Sequence, residues 1–476
     1  MNFIQIEFLW FVATVFVVYW LLGQLRRGRM WQNLLLVVAS AVFYGWVHPW
    51  FLLLLSASAG LDFVVGQLIE THRRHRDHLL MLSLAGNLGM LAYFKYFNFF
   101  VSNVVDGLAL LGVQADLRTL AIVLPVGISF YTFQTMSYTI DIYRGELKPR
   151  RSFLDYLVFV SFFPQLVAGP IERAGRLLPQ LERPRRFDPA QILSGITLAS
   201  WGGFKKLVVA DTLAPYIDKV FVLEEPSGPL IWSASIAFSI QIFADFSGYT
   251  DIARGTARMF GIELMRNFRS PFLAASTPEF WQRWHISLSF WIRDYLLVPL
   301  LGTASQLSRS RFFGATLLTF TIIGLWHGAS WNFVLFGALH GVAMIVYTLL
   351  GRALPRPLLA LSWGRPLAIV LHFVAVSVPG SMLFRETHPA RIVHHLTTPP
   401  LTATPDEWIA TSVLLGVTAL CAAPLVASHA IERWVLPRVQ GTVWLLPMQT
   451  STWAISGVGM FVFYRVNTYD FIYFQF

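Results

Sequence analysis

The stretch "YRGELKPRRSFLDYLVFVSFFPQLVAGPIERAGRLLPQLERPRRF", Tyr143 to Phe187, carries the decision about fold. Its apolar run, 153–171, is flanked by two basic loops, 143–152 and 172–187. Short basic loops of membrane proteins stay in the cytoplasm. Both can do so only if the run between them does not cross. Pro164, Gly169 and Pro170 interrupt that run, and proline removes a backbone donor that lipid cannot replace. The stretch therefore reads as a re-entrant or broken element shielded by other helices. Irregular backbone at membrane depth is tolerated only inside protein or along a water-filled cavity.

Composition supports this setting. Of 476 residues, 55% are hydrophobic and only 13% charged, and the mean hydropathy is +0.57. Soluble domains carry about a quarter charged residues, so the chain reads as one polytopic membrane domain over 1–476. The net charge is +10, gathered in short loops between apolar segments. That distribution points to topology rather than nucleic acid. Cys421 is the only cysteine, which excludes a disulfide framework and a CxxC redox pair.

Working outward, the N-terminal run reads as a retained first helix followed by Arg26, Arg27 and Arg29. That order places the N-terminus outside and the first loop in the cytoplasm. Spans follow near 31–47, 49–69, 79–101, 120–141, 190–222, 229–247, 312–350, 366–384, 408–428 and 450–466. The loops 71–78 and 351–366 are also expected to be cytoplasmic. The stretch 276–300 mixes aromatics with Arg283, His285, Arg293 and Asp294. It reads as an amphipathic helix lying at the cytoplasmic surface.

One ionisable residue stands out in the apolar part of the chain. His327 lies in "GLWHGASWN", 324–332, between long apolar runs. The limb before it, 312–325, makes a helix of 14 residues, about 21 Å at 1.5 Å per residue and short of a bilayer. Arg309 and Arg311 precede the pair of limbs, and Arg352, Arg356 and Arg365 follow it. Both ends thus face the cytoplasm, with the break carrying His327 inside the membrane. Intramembrane ionisable residues are functional-site hypotheses by default, although a histidine that only bonds a neighbouring helix is the plain alternative. Burial favours the neutral imidazole, which can accept a proton as a general base. Ser330 and Asn332 add polar groups on the next turn.

Other motifs are negative. "VGISF" at 126–130 lacks the second glycine of a nucleophile elbow. There is no P-loop and no HExxH. His394 and His395 are adjacent and lack zinc-ligand spacing, so no metal is expected. His72, His75 and His78 sit among arginines in a solvated loop.

Six segments together resemble the membrane-bound O-acyltransferases, in the bacterial branch that includes the membrane subunit of alginate O-acetylation. They are "SFYTFQTMSYTIDIYRG" (129–145), "FVSFFPQLVAGPIER" (159–173), "QIFADFSGYTDIARGTARMFGIEL" (241–264), "EFWQRWHISLSFWIRDYLLVPL" (279–300), "GLWHGASWNFVLFGALHG" (324–341) and the C-terminal "FIYFQF" (471–476). The pattern departs at 301–311 and 380–386. The resemblance implies a ring of about ten or more transmembrane helices, with re-entrant and broken helices around a central funnel. It makes His327 the catalytic histidine and puts His285 in the place of a second one.

The expected reaction is acetyl transfer, with acetyl-CoA as cytoplasmic donor substrate and no bound cofactor. The acetyl group would end on an exopolysaccharide such as alginate or cellulose. His327 would act as general base. Arg283 and Arg293 are candidates to hold donor phosphates or to anchor the segment to lipid headgroups, and Asn332 is a further donor-side candidate. Expected partners are membrane lipids, a periplasmic acetyltransferase and the polysaccharide synthesis and export complex. The expected location is the bacterial inner membrane. Two alternatives stay within the family, D-alanyl transfer and lipid acylation. A polysaccharide-export transporter or scaffold is the alternative outside it.

Overall fold

In the computed structural model, which describes residues 1–114, 118–167, 169–353, 364–464, 469 and 471–472, all regular structure is helical. Packing divides the chain into two units, 1–196 with 252–265, and 197–251 with 266–476. Five helices among the described residues are long and apolar enough to cross a bilayer. Further apolar runs are interrupted, as where Arg76–Leu91 passes through the π turn Ala92–Tyr96 into Phe97–Leu110. The chain is an all-α, multi-pass membrane protein. Most of the expected cytoplasmic loop 351–366 lies outside the described residues, as do residues 473–476 of the "FIYFQF" tail.

The first unit shows how the broken stretch is tolerated. Ser152 caps the helix Phe153–Ser161 by accepting the Asp155 N–H at 3.2 Å. Phe162 leaves helical geometry, and a short turn Phe163–Leu166 follows with Pro164 near its start. A backbone group freed at such a break needs a partner where water is absent. The Ser40 hydroxyl accepts the Phe163 N–H at 3.0 Å. The Phe159 carbonyl accepts from the Gln134 and Gln165 amides, each at 2.5 Å. Phe159, Phe162 and Phe163 are fully buried. The break is an interior element of its unit, with its hydrogen bonds supplied by side chains.

The neighbouring helix Ile128–Arg144 lies between Gly127 and Gly145, both at positive φ (80° and 77°). Only glycine takes that conformation without strain. The helix is polar yet buried, and its Thr135 faces the Ser58 hydroxyl at 3.2 Å. Ser58 in turn bonds Asn87 at 2.7 Å, and Asn87 and Ser83 both donate to the buried Asp62. Interhelical polar contacts of this kind join membrane helices that have little hydrophobic drive to associate in lipid.

If 153–171 does not cross, single cysteines at 143–152 and at 172–187 will label from the same face in a Cys421-free background. Labelling of these two loops from opposite faces would refute the broken-element reading.

In the second unit, the helix Asp211–Phe221 follows a π turn, Lys205–Ala210. That turn carries two consecutive buried lysines. Lys205 Nζ lies 2.6 Å from Asp251, and Lys206 Nζ lies 2.7 Å from both Asp211 and Asp245. Asp245 also accepts the backbone N–H of Ile472 at 2.8 Å. Phe471 packs on Tyr249 and Phe246, with ring centroids 4.4 and 5.6 Å apart. Phe471 and Ile472 are thereby fixed to the long helix Gly228–Met259.

Two expectations change here. The stretch 276–300 is a chain of short pieces, Thr277–Trp281, Ile286–Ile292, a π turn and Val298–Leu301. It buries Phe280, Trp281, Trp284, His285, Leu288 and Trp291. Its aromatics face protein, so it is not a single amphipathic helix on the surface. The limb before His327 is also longer than expected. Ser308 caps it by accepting the Arg311 N–H at 3.1 Å, and the helix Arg309–His327 runs 19 residues, about 28 Å. The capping hydroxyl starts the helix ahead of the apolar run.

That helix forms a hairpin with Trp331–Ala353. Gly324 lies against the Phe333 carbonyl and Gly337 against the Phe320 carbonyl, where any Cβ would overlap backbone. Backbone cannot swing aside as a side chain does. Gly324→Ala and Gly337→Ala should each destabilise by about 1–3 kcal/mol, despite the better helix propensity of alanine. Thermal unfolding in detergent measures this. Two variants as stable as wild type would show that the helices can separate at no cost.

Candidate active site

His327 is the last residue of its helix and is 3% exposed. Gly328 ends the helix in extended backbone, and the Phe333 ring fills the space a side chain there would need. This explains the glycine after the histidine through contact, with no left-handed backbone involved. The imidazole stands edge to face with Trp326, Phe336 and Phe384, at centroid separations of 5.0, 5.7 and 5.2 Å. A helix C-terminus carries partial negative charge. The imidazole of His327 stands at that end of its helix.

His327 opens on a cavity of about 30 Å³, room for a water or two. The wall is aromatic, with Phe272, Phe280, Trp284, Phe336 and Phe384. It also carries the polar side chains of His327, His340, Ser377 and Ser381, beside Gly380. A few convergent polar groups in an apolar pocket are the usual form of a small-molecule site.

The other expected residues do not share this wall. His285 is fully buried and caps Ile286–Ile292, its Nδ1 accepting the Leu288 N–H at 3.3 Å. In the neutral ring the proton then sits on Nε2. Its backbone is left-handed at φ 42°, unusual for a residue with a side chain. It packs on Phe246 at 4.8 Å and edge to face with Trp326 at 5.8 Å. Trp326 thus touches both histidines. Asn332, also fully buried, donates to the Leu383 carbonyl at 3.0 Å and ties the hairpin to the end of Val378–Arg385. Arg283 bonds Glu279 at 2.7 Å, a carboxylate that Arg365 also holds at 2.7 Å. Arg293 is exposed, 2.6 Å from Asp294 and above the Phe290 ring. His395 is buried at 3.3 Å from Glu386, which Arg391 also holds.

Sequence reasoning passed over His340, Ser377, Gly380 and Ser381. The signal for His340 was present. It lies in the same apolar run as His327, and each is followed by glycine. The rule that singles out one intramembrane histidine applies equally to the other.

A family model for membrane-bound O-acyltransferases matches residues 145–373. The chain is 37% identical over 365 residues to a probable alginate O-acetylase AlgI of Pseudomonas aeruginosa, covering 75% of this chain and 68% of that one. It is 34% identical over 366 residues to a peptidoglycan O-acetyltransferase of Helicobacter pylori, covering 71% and 68%. A teichoic acid D-alanyltransferase of Bacillus subtilis is 30% identical over 236 residues, covering 47% and 58%. His327, the cavity wall from Phe272 to Phe336 and His340 all fall inside the matched family segment. The chain is an acyltransferase and belongs to the membrane-bound O-acyltransferase family.

Proposed function

We propose that this protein takes acetyl from cytoplasmic acetyl-CoA and passes it across the inner membrane for O-acetylation of an exopolysaccharide such as alginate or cellulose. The observation that carries this reading is His327, buried at the end of its helix and opening on a small aromatic cavity. His327 removes the proton of an acceptor hydroxyl, whose oxygen attacks the thioester carbonyl carbon. The C=O electron pair moves to oxygen and returns as the C–S bond breaks. The departing thiolate takes the proton from the imidazolium, leaving an ester and free CoA. Alginate and peptidoglycan O-acetylating relatives support an acetyl donor. A periplasmic acetyltransferase and the polysaccharide synthesis and export complex act as partners. The N-terminus faces the periplasm.

D-alanyl transfer is the second reading, favoured by the likeness to a teichoic acid D-alanyltransferase over a shorter stretch. Purified protein in lipid nanodiscs with labelled acetyl-CoA, and with polysaccharide or partner as acceptor, tests the first reading. Acceptor-dependent loss of thioester is the expected result. Transfer of D-alanyl and not acetyl would favour the second.

A further inference from the structure

The cavity wall holds a second histidine that the reaction above does not use. His340 is 2% exposed and lies on Trp331–Ala353, the other arm of the hairpin that ends in His327. Its ring is parallel to Phe280 at 5.8 Å and edge-on to Trp281 at 5.2 Å and Phe336 at 4.7 Å. Three aromatic rings therefore fix its orientation. Nε2 points towards Gly380, where a Cβ would lie 3.0 Å from it. Gly380 lines the same cavity, and its missing side chain is what lets the imidazole reach that wall. Nδ1 is buried with no hydrogen-bond partner among the described residues. The tautomer with its proton on Nε2 leaves only a lone pair buried at Nδ1 and turns the N–H to the cavity.

A polar ring held this firmly in an aromatic cage costs free energy unless its N–H meets a partner. In acyl transfer the group that gains charge is the carbonyl oxygen, and a fixed donor aimed at it is worth most in a dry site. We infer that His340 donates a hydrogen bond from Nε2 to the acyl carbonyl oxygen as it becomes an oxyanion, while His327 handles the proton. This rests on the acyl-transfer reading given above. The donor keeps its proton throughout, so the balance of the reaction is unchanged. The two histidines have separate roles, one as base and one as hydrogen-bond donor. Gly380 is a positioning residue for the second.

The test measures acetyl-CoA turnover by His340→Phe, His340→Gln, Gly380→Ala and His327→Gln in nanodiscs, beside wild type. Phenylalanine keeps the ring packing and removes the donor, whereas glutamine keeps an N–H. His340→Phe should lose about 10²–10³-fold in kcat, the usual effect of deleting one oxyanion donor, with KM for acetyl-CoA within about threefold. His340→Gln should recover at least about tenfold of that loss and keep the wild-type pH profile, which a merely structural role would not predict. Gly380→Ala, which crowds Nε2, should lower kcat in the same direction. The assignment is overturned if His340→Phe turns over within about threefold of wild type. It is also overturned if the glutamine and phenylalanine variants, both folded by size-exclusion and thermal unfolding, are equally inactive. If wild type itself turns over no acetyl-CoA with acceptor present, the acyl-transfer reading fails. If wild type is active and His327→Gln is as active, only the general-base role of His327 fails; loss in His327→Gln with none in His340→Phe removes only the role of His340.

Discussion

Acetyl transfer by His327→Gln is expected to fall by about 10²–10⁴-fold, the range a positioned general base contributes. That corresponds to roughly 3–5 kcal/mol of barrier at 1.36 kcal/mol per tenfold. Glutamine preserves size and polarity and has no useful basicity. The cavity walls, Phe336 and Phe384 among them, stay in place, so binding of a non-hydrolysable acetyl-CoA analogue should be retained. A variant that binds the analogue and keeps more than about a tenth of the rate would remove proton transfer from His327. His285→Ala should act differently. It removes the cap accepting the Leu288 N–H and a packing partner of Trp326, so its loss should appear in stability as well as in rate. Changes at His394 should leave the rate near wild type.

Lys206→Met is expected to be the most destabilising single change in the second unit. It leaves Asp211 and Asp245 buried without the ammonium that lies 2.7 Å from each. The three side chains are at most 4% exposed. Removing one partner of a buried ionic cluster costs about 3–5 kcal/mol, because the remaining charge has lost its compensation. The docking of Ile472 on Asp245 should weaken with it, seen as faster proteolysis of the C-terminal residues. The triple variant Lys206→Met, Asp211→Asn, Asp245→Asn removes the charges together and should recover much of the loss. Thermal unfolding of the three proteins in detergent measures both effects. A single variant within about 1 kcal/mol of wild type would show that water or another cation compensates the pair.

The class and the broken element were legible in the residues alone, and so was the place of His327 as an ionisable residue in an apolar run. Apolar content, basic loops and interrupting prolines constrain a chain in lipid severely, because unsatisfied backbone is intolerable there. Pro164 between two basic loops was therefore enough to find the interruption, and an ionisable residue in an apolar run was enough to find His327. The resemblance of six segments added the chemistry. Tertiary structure decided what lies beside His327. Ser377 and Gly380 come from a helix about fifty residues away, and nothing local in their sequence marks them as cavity residues. It also moved Asn332, Arg283 and Arg293 away from the cavity, because each is committed to a carbonyl or carboxylate that sequence order does not reveal. It changed 276–300 from a surface helix to buried short pieces, since a polar–aromatic pattern reads alike against headgroups or against other helices. Periodicity reports that a face is buried. Which face it meets depends on long-range packing, which no local pattern encodes.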